Sequence, residues 1–384
     1  MIDFLFDYQF MRILWWVLLG VLLIGFAVMD GFDLGVGALL PFVGKTDLER
    51  RVVINTVGPV WEGNQVWFIL GGGSIFAAWP ALYAVSFSGF YLAMFLILAA
   101  LILRPVGFKY RSKKADPKWR SRWDFALFIG GAVPALMFGV AVGNTLLGVP
   151  FHFTDDLRPI YEGTLIGLLR PAALYCGAVS LAMLVTHGAA WLAFKADGVV
   201  SDRARAIGAK SALLTAALFA GGGVLVWAGL LGGYRVTSPI DWAGPSNPLL
   251  KTVEADPSAW LQNFHAHPLL WIVPALGVLC PLLASAGFRA NRQGMTFLTS
   301  MLGVAMIIAT VGVAMFPLIL PSNSNPSQSL AVFDASSSLG TLRNMLFATA
   351  IFLPLILIYT SWVYRVLRGK VSAADIEKPG GHAY

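Results

Sequence analysis

The stretch "VLLIGFAVMDGFDLGVGALL", residues 21–40, places two carboxylates, Asp30 and Asp33, in a segment that is otherwise almost entirely apolar. The apolar run around it exceeds the eighteen or so residues that indicate a membrane-spanning helix. The whole chain has 384 residues, of which 57% are hydrophobic and only 12% are charged. This composition predicts an integral membrane protein that crosses the bilayer several times.

Hydropathy and loop composition divide the chain into nine predicted transmembrane helices, and no soluble domain interrupts the series. The predicted spans cover residues 13–41, 53–79, 82–106, 124–147, 168–194, 211–233, 267–288, 295–320 and 344–366. We therefore expect one all-α integral-membrane domain over residues 1–384. The longest connection, 235–266, is rich in Pro, Gly, Asn and Trp and is expected to be an ordered outer loop.

Most of the 27 Lys and Arg residues follow the first, third, fifth, seventh and ninth spans. The positive-inside rule then puts the N-terminus on the periplasmic side and the C-terminus in the cytoplasm. The excess of positive charge, +7, is thus explained by topology, and nucleic acid is not an expected partner. Asp3 and Asp7 precede the first apolar run, which argues against a cleaved signal peptide.

Asp30 and Asp33 lie three residues apart and so share one side of the first helix. A charge at the bilayer centre costs at least about 2.5–3.5 kcal/mol, and such groups usually face the bundle interior and have a function. Three interpretations remain open for the pair. The carboxylates could fix the inner end of the helix, conduct protons, or coordinate a cation.

Glu62, in "WEGNQVW" (residues 61–67), lies about nine residues inside the predicted second span. A rise of 1.5 Å per residue puts it ~14 Å from the inner start of the helix, near the middle of the membrane. With Asn64, Gln65, Trp61 and Trp67 it is expected to form a small polar pocket. Glu62 then belongs either to a proton path or to a buried structural hydrogen bond.

Other polar residues within the apolar runs have simpler interpretations. Arg104 either extends to the inner interface or forms an ion pair with Asp30 and Asp33. His187 is expected to be a hydrogen-bonded core residue rather than a haem ligand, although haem ligation is the alternative. His265 and His267 lie towards the outer side.

The remaining patterns are structural. The spacing of Gly139 and Gly143 indicates close helix packing. Cys176 and Cys280 stand alone in apolar runs, so neither a disulfide nor a metal site is indicated. No catalytic constellation is recognisable in this chain.

Several long stretches of the chain resemble subunit II of the cytochrome bd-type ubiquinol oxidase family, and together they extend over essentially its whole length. They are "LLIGFAVMDGFDLGVG", "LERRVVINTVGPVWEGNQVW", "FAAWPALYAVSFSGFYLAMFLILAALILRPVGFKYRSK", "WDFALFIGGAVP", "GNTLLGVPF" and "VAMFPLIL". The resemblance implies a terminal oxidase of the bacterial respiratory chain, in the cytoplasmic (inner) membrane. Such a complex oxidises quinol, reduces dioxygen to water and generates a membrane potential.

The same resemblance implies cofactors and partners. Two b-type haems and one d-type haem would lie essentially in subunit I, which would form a pseudo-symmetric heterodimer with this chain. A small single-helix subunit, membrane lipids and a structural quinone bound to this chain are further expectations. The chain itself would scaffold subunit I and conduct protons.

By resemblance, Asp30, Glu62 and Arg104 match residues of the family's motifs and proposed proton route, with Asp33 beside them. Asp30 is the expected proton carrier, whereas Asp33 would hold the helix in place. Trp61, Trp67, Asn64 and Gln65 are candidate contacts of a quinone or of the pocket. Two rival functions are an ion-coupled transporter that uses the same carboxylates and a purely structural scaffold.

Overall fold

The computed structural model describes residues 7–377; residues 1–6, which include Asp3, and residues 378–384 lie outside the described part. The described chain is predominantly helical. Its helices are α1 (Tyr8–Met29), α2 (Gly31–Val43), α3 (Asp47–Val57), α4 (Trp61–Ala78), α5 (Pro80–Gly89), α6 (Tyr91–Leu101), α7 (Leu103–Tyr110), α8 (Pro117–Leu147), α9 (Pro171–Lys195), α10 (Gly198–Trp227), α11 (Ala259–Ala266), α12 (Ile272–Arg289), α13 (Gln293–Met315), α14 (Leu339–Val366) and α15 (Ala373–Glu377).

Three short antiparallel hairpins connect the ends of long helices. They pair β1 (Phe151–Phe153) with β2 (Pro159–Tyr161), β3 (Tyr234–Val236) with β4 (Val253–Ala255), and β5 (Leu318–Leu320) with β6 (Leu330–Ala331). Gln328 links two hairpins, because its side-chain oxygen accepts the backbone N–H of Phe153 at 2.6 Å. Val253 of β4 donates its backbone N–H to the hydroxyl of Ser327 at 3.2 Å, so the three hairpins form one ordered cap that includes the ordered loop predicted for residues 235–266.

Within residues 7–377, eight helical segments are long and apolar enough to span a membrane, and a ninth is formed if α4 and α5 are taken together. The axes of α4 and α5 meet at a bend of 120°. The predicted count of nine is thus matched by eight to nine candidates. The orientation of the termini stays a prediction.

The predicted second span, 53–79, is wrong in its first part. Residues 47–57 form the separate helix α3, which begins with a capping box between Thr46 and Glu49. Helix α3 ends at Val57 with Gly58 as its C-cap, Pro59 cannot donate a backbone hydrogen bond, and α4 begins at Trp61. Glu62 therefore lies in the first turn of α4 and not in the middle of a continuous span.

Helix α2 lies at the centre of the bundle, against α8 and α9. Glycines make this approach possible. A Cβ atom added to Gly37 would lie 3.3 Å from the Cα of Gly131, and one added to Gly35 would lie 3.0 Å from the Cα of Gly188. The backbones of three helices are in direct contact here, so the carboxylates of the first span are carried on a rigid frame.

Helix α14 lies at the periphery and contacts mainly α1 and α4. Leu342 is its one buried residue, and its middle exposes a row of large apolar side chains. After α14 the chain returns to the bundle, where the backbone N–H of Val371 donates to the carbonyl of Lys195 at 2.8 Å. The two ends of α14 are thus better anchored than its middle.

Candidate functional site

Arg104 and Asp30 form a buried ion pair between α7 and the junction of α1 and α2. Arg104 Nη2 donates to Asp30 Oδ1 at 2.7 Å, and Nη1 donates to Oδ2 at 3.1 Å. The two side chains are 3% and 1% exposed. The expected ion pair is confirmed, and the alternative in which Arg104 extends to the interface is wrong. Through this bidentate ion pair each carboxylate oxygen of Asp30 accepts a hydrogen bond.

Asp33 has different surroundings, although it lies less than one helical turn from Asp30. Its Oδ2 accepts a hydrogen bond from Asn64 Nδ2 at 2.8 Å and lies 4.0 Å from Arg104 Nη2. Its Oδ1 is buried and has no hydrogen-bond partner among the described residues. The cluster therefore contains two carboxylates and one guanidinium, and Asp33 is the member with an unused acceptor.

Asn64 connects Asp33 with the distant helix α14. Tyr364 donates its hydroxyl hydrogen to Asn64 Oδ1 at 2.7 Å, and the amide nitrogen of Asn64 donates to Asp33. Tyr364 was missed by the sequence prediction, because one tyrosine in an apolar helix carries no recognisable signal. The site consequently joins residues of four segments: the α1–α2 junction, α4, α7 and α14.

Glu62 is separated from this cluster, because it lies on the opposite side of α4 from Asn64. Its side chain is 68% exposed in this chain, and its Oε1 lies 3.8 Å from Nζ of Lys109. The predicted pocket that combined Glu62 with Asn64 is therefore wrong. Glu62 lies instead at the surface of this chain, beside the last turn of α7.

The other predicted pocket residues also differ in burial. Trp61 and Trp67 are buried with Asn64, whereas Gln65 is only half-buried. The Trp61 ring lies 6.0 Å from the Arg104 guanidinium, and its Nε1 is a buried donor with no partner among the described residues. Trp67 packs against Gly25 of α1. Trp61 and Asn64 are thus the two candidate quinone contacts that lie beside the Arg104 cluster.

A second ion-pair network ties α3 to the end of α7 and the beginning of α8, and the sequence prediction missed it. Arg111, which follows the predicted third span, is 1% exposed and lies 2.5 Å from Asp124 and 2.9 Å from Asp47. Arg50 also contacts Asp124, at 2.7 Å. These contacts compensate the buried charges and hold α3 against the bundle.

A third group of buried charges, also missed, lies beneath the ordered cap. Lys251 Nζ lies 2.6 Å from Asp334 Oδ2, and both side chains are less than 5% exposed. Burial lowers the pKa of Lys251 and raises that of Asp334, while each charge opposes the shift of the other. Nearby, the fully buried Arg12 donates to Ser336 at 2.8 Å and stacks on Tyr8.

The environment of His187 does not fit haem ligation. Its Nε2 lies 2.8 Å from the carbonyl of Val28, which can only accept, so this nitrogen carries the hydrogen. Its Nδ1 lies 2.8 Å from the hydroxyl of Ser300. Both ring nitrogens are engaged, and among the described residues no group of three or more His, Cys, Asp or Glu side chains could hold a metal ion.

Comparison with known proteins gives a consistent result over nearly the whole chain. Residues 11–367 match the family model of the cytochrome bd terminal oxidase subunit II. The "Probable cytochrome oxidase subunit 2" of Haemophilus influenzae is 52% identical, with 97% of this chain and 98% of that protein aligned. The "Cytochrome bd-I ubiquinol oxidase subunit 2" of Escherichia coli is 48% identical over the same shares.

More distant relatives agree with this match. The "Cytochrome bd ubiquinol oxidase subunit 2" of Bacillus subtilis is 30% identical, with 94% of this chain and 96% of that protein aligned. A chain in the structure of bd oxidase from Geobacillus thermodenitrificans superimposes with a TM-score of 0.68 and 14% identity. It covers 93% of this chain and 98% of that chain, and the similarity shows a common fold.

Proposed function

Because the chain belongs to the cytochrome bd terminal oxidase subunit II family, we propose that it scaffolds the haem-bearing subunit I and delivers protons to the oxygen-reduction site. Members of this family are inner-membrane subunits of an oxidoreductase complex, and this chain is such an enzyme subunit. The family match does not favour the rival transporter function.

The proposed complex has the two b-type haems and the d-type haem in subunit I, where they supply electron transfer and the chemistry of oxygen. Quinol oxidation releases protons outside, whereas water formation consumes protons from the cytoplasm. This separation generates a membrane potential. A pseudo-symmetric heterodimer, a small single-helix subunit and bound lipids complete the proposal.

The proposal of proton delivery rests on a difference between two buried carboxylates, Asp30 and Asp33, in their contacts with Arg104. Arg104 donates a hydrogen bond to each oxygen of Asp30 and balances its charge. Asp33 lacks a cation of its own and keeps a free oxygen. A proton on Asp33 makes the three-residue cluster neutral, which stabilises it in an apolar environment. We therefore assign proton transfer to Asp33 and anchoring to Asp30, the reverse of the expectation from sequence.

The test compares Asp33→Asn with Asp30→Asn in the purified complex. We expect Asp33→Asn to assemble with a normal haem spectrum and to lose about 10²-fold in oxygen reduction, a typical contribution of a proton-transfer group. Asp30→Asn leaves Arg104 buried without its main counter-charge, so it should lower the yield of assembled complex. Full turnover by assembled Asp33→Asn would overturn proton delivery and leave the scaffold function.

Glu62 is a second proposed proton-path residue, placed at the surface of this chain. A side chain that is 68% exposed here has room to contact subunit I. Glu62→Gln should assemble with haems and show slower oxygen reduction, with Lys109→Gln as the control that removes only its ion-pair partner. If Glu62→Gln were as active as the parent complex, Glu62 would not belong to the route.

A structural quinone beside Trp61 is a further proposal, supported by the unpaired indole N–H of Trp61. A quinone carbonyl would accept this hydrogen bond, and Trp67, Asn64 and Gln65 would lie nearby. Trp61→Phe keeps the aromatic ring and removes the donor. We expect the purified variant to retain less extractable quinone than the parent complex; an equal quinone content would contradict this contact.

Co-purification separates the rival functions. Isolation in mild detergent together with a haem-bearing subunit and quinol oxidase activity supports the enzyme function. A chain purified without such a subunit that moved ions by itself would instead be a transporter.

A further inference from the structure

A cavity of about 170 Å³ lies between α3, α9 and the end of α14. Polar side chains form part of its wall, including Asn55, Thr56, Lys195, Lys370 and Tyr364. It lies at the end of the bundle that carries the basic segments, which the positive-inside rule assigns to the cytoplasm. The cavity is partly open rather than sealed, since Lys370 on its rim is 44% exposed.

A turn of the backbone and the side chain of Lys195 build this cavity. The non-helical residues 58–60 contribute Pro59 and Val60 to its wall. Non-helical backbone within a membrane protein is tolerated where it is buried in protein or lines a water-filled space. On the opposite side, the ammonium group of Lys195 donates to the carbonyls of Leu367 and Gly369 and holds the end of α14 in position.

Tyr364 lies between the cavity and the buried carboxylates. It lines the cavity, and its hydroxyl donates to Asn64, which in turn donates to Asp33. In the Asn64 side chain the oxygen accepts a hydrogen bond and the nitrogen donates one. The amide cannot relay a proton between the two atoms without changing its tautomer. The Tyr364 hydroxyl thus holds the Asn64 amide on Oδ2 of Asp33, and Oδ1 of Asp33 stays free.

We propose that this cavity is the cytoplasmic proton inlet of the subunit and that Tyr364 is the positioning residue that controls access from it to Asp33. The proposal rests on the proposed role of Asp33. With Asn64 held on Oδ2 of Asp33 by Tyr364, water from the cavity passes Tyr364 and transfers a proton to the free oxygen Oδ1 of Asp33. That water regains a proton from the bulk phase, and the proton on Asp33 leaves towards subunit I. This inlet does not pass through Glu62.

The first experiment blocks the mouth of the cavity in the intact complex. In inverted membrane vesicles, a Lys370→Cys variant is modified with a bulky, membrane-impermeant maleimide, and oxygen consumption with quinol is measured before and after labelling. Lys113→Cys, on an exposed segment of the same basic end, is the matched control. We expect labelling at residue 370 to remove most of the activity and labelling at residue 113 to leave it unchanged.

The second experiment removes the hydroxyl of Tyr364 without removing its ring. Tyr364→Phe should lower turnover by about tenfold with an unchanged haem spectrum, because Asn64 loses the partner that orients it. Its solvent deuterium isotope effect should also exceed that of the parent complex, a change that a loss of packing alone would not produce. Tyr359→Phe, on the exposed side of the same helix, is the control and should behave like the parent.

The results of these experiments test the proposed inlet and the proposed role of Asp33 independently. If Asp33→Asn is impaired but labelled Lys370→Cys and Tyr364→Phe are fully active, protons reach Asp33 by another way and the inlet is wrong. If assembled Asp33→Asn is fully active, proton delivery through Asp33 is itself wrong.

Discussion

At the residue scale, two carboxylates that look equivalent in the sequence have different hydrogen-bond partners in the structure. Asp30 and Asp33 have the same chemistry and lie three residues apart, but one is bound by Arg104 through both oxygens while the other keeps a free oxygen. The Arg104 pairing was predictable, because few cations reach that depth of a membrane. The hydrogen bond from Tyr364 to Asn64 was not, since the two residues are 300 positions apart and a single tyrosine in an apolar helix has no recognisable signal.

The buried pair of Lys251 and Asp334 gives a prediction at this scale. Asp334→Asn leaves the Lys251 ammonium group, 3% exposed, without its carboxylate, so we expect a loss of about 3–5 kcal/mol in stability. The measurement is the thermal midpoint of the purified complex. Replacing both residues, by Lys251→Met with Asp334→Asn, should recover much of the loss.

The exposed pair of Asp156 and Arg158 is the matched control for that experiment. Its side chains are 56% and 81% exposed, and such surface pairs contribute about 0–1 kcal/mol. Asp156→Asn should therefore change the midpoint little. An equal loss at both pairs would contradict the importance of burial.

At the scale of elements, hydropathy predicted most of the long helices but not where they break. The run from residue 53 to residue 79 is apolar enough to suggest one span, yet the chain uses its first part as the amphipathic helix α3. Gly58 and Pro59 were the available signal for the break. Charged helical extensions were also missed: α10 begins at Gly198 rather than at residue 211, because polar residues at a water-facing helix end lower hydropathy without ending the helix.

The contact between α2 and α9 gives a prediction for these elements. A Cβ atom on Gly35 would overlap the carbonyl oxygen of Leu184 and approach Gly188, and backbone atoms cannot rotate away. Gly35→Ala should therefore cost at least about 1–3 kcal/mol and reduce the amount of assembled, haem-containing complex. Gly20→Ala in α1, where no atom lies within 4 Å of the added carbon, should assemble normally. Equal yields of both variants would contradict direct backbone contact.

At the scale of the whole molecule, the charges and the hairpins divide the bundle into two unlike ends. The ordered cap of β1 to β6 lies at one end, and the ion-pair network around Arg111 and the proposed inlet lie at the other. The positive-inside rule predicts that the cap faces the periplasm. The peripheral helix α14, with its exposed apolar row, joins both ends.

Sidedness is directly measurable with introduced cysteines. An impermeant thiol reagent should label Lys113→Cys only in inverted vesicles and Asp155→Cys only in right-side-out vesicles. The native Cys176 and Cys280 lie within helices, half-buried and buried, and should react little in either preparation. Labelling of the two introduced cysteines from the same side would overturn the predicted topology.

The direct contacts of α2 with α8 and α9 also bear on the proposed change in the charge of Asp33 during turnover. At Gly35 and Gly37 the backbone of α2 contacts the backbones of α9 and α8 directly. No side chain lies between them that could change its rotamer and let α2 shift or tilt. In the proposed proton transfer, Asn64 and Tyr364 are then the groups next to Asp33 that can adjust to its change of charge, since α2 itself is fixed. Proton transfer in this subunit would then proceed without movement of the helices, and only the side chains of Asn64 and Tyr364 would change position.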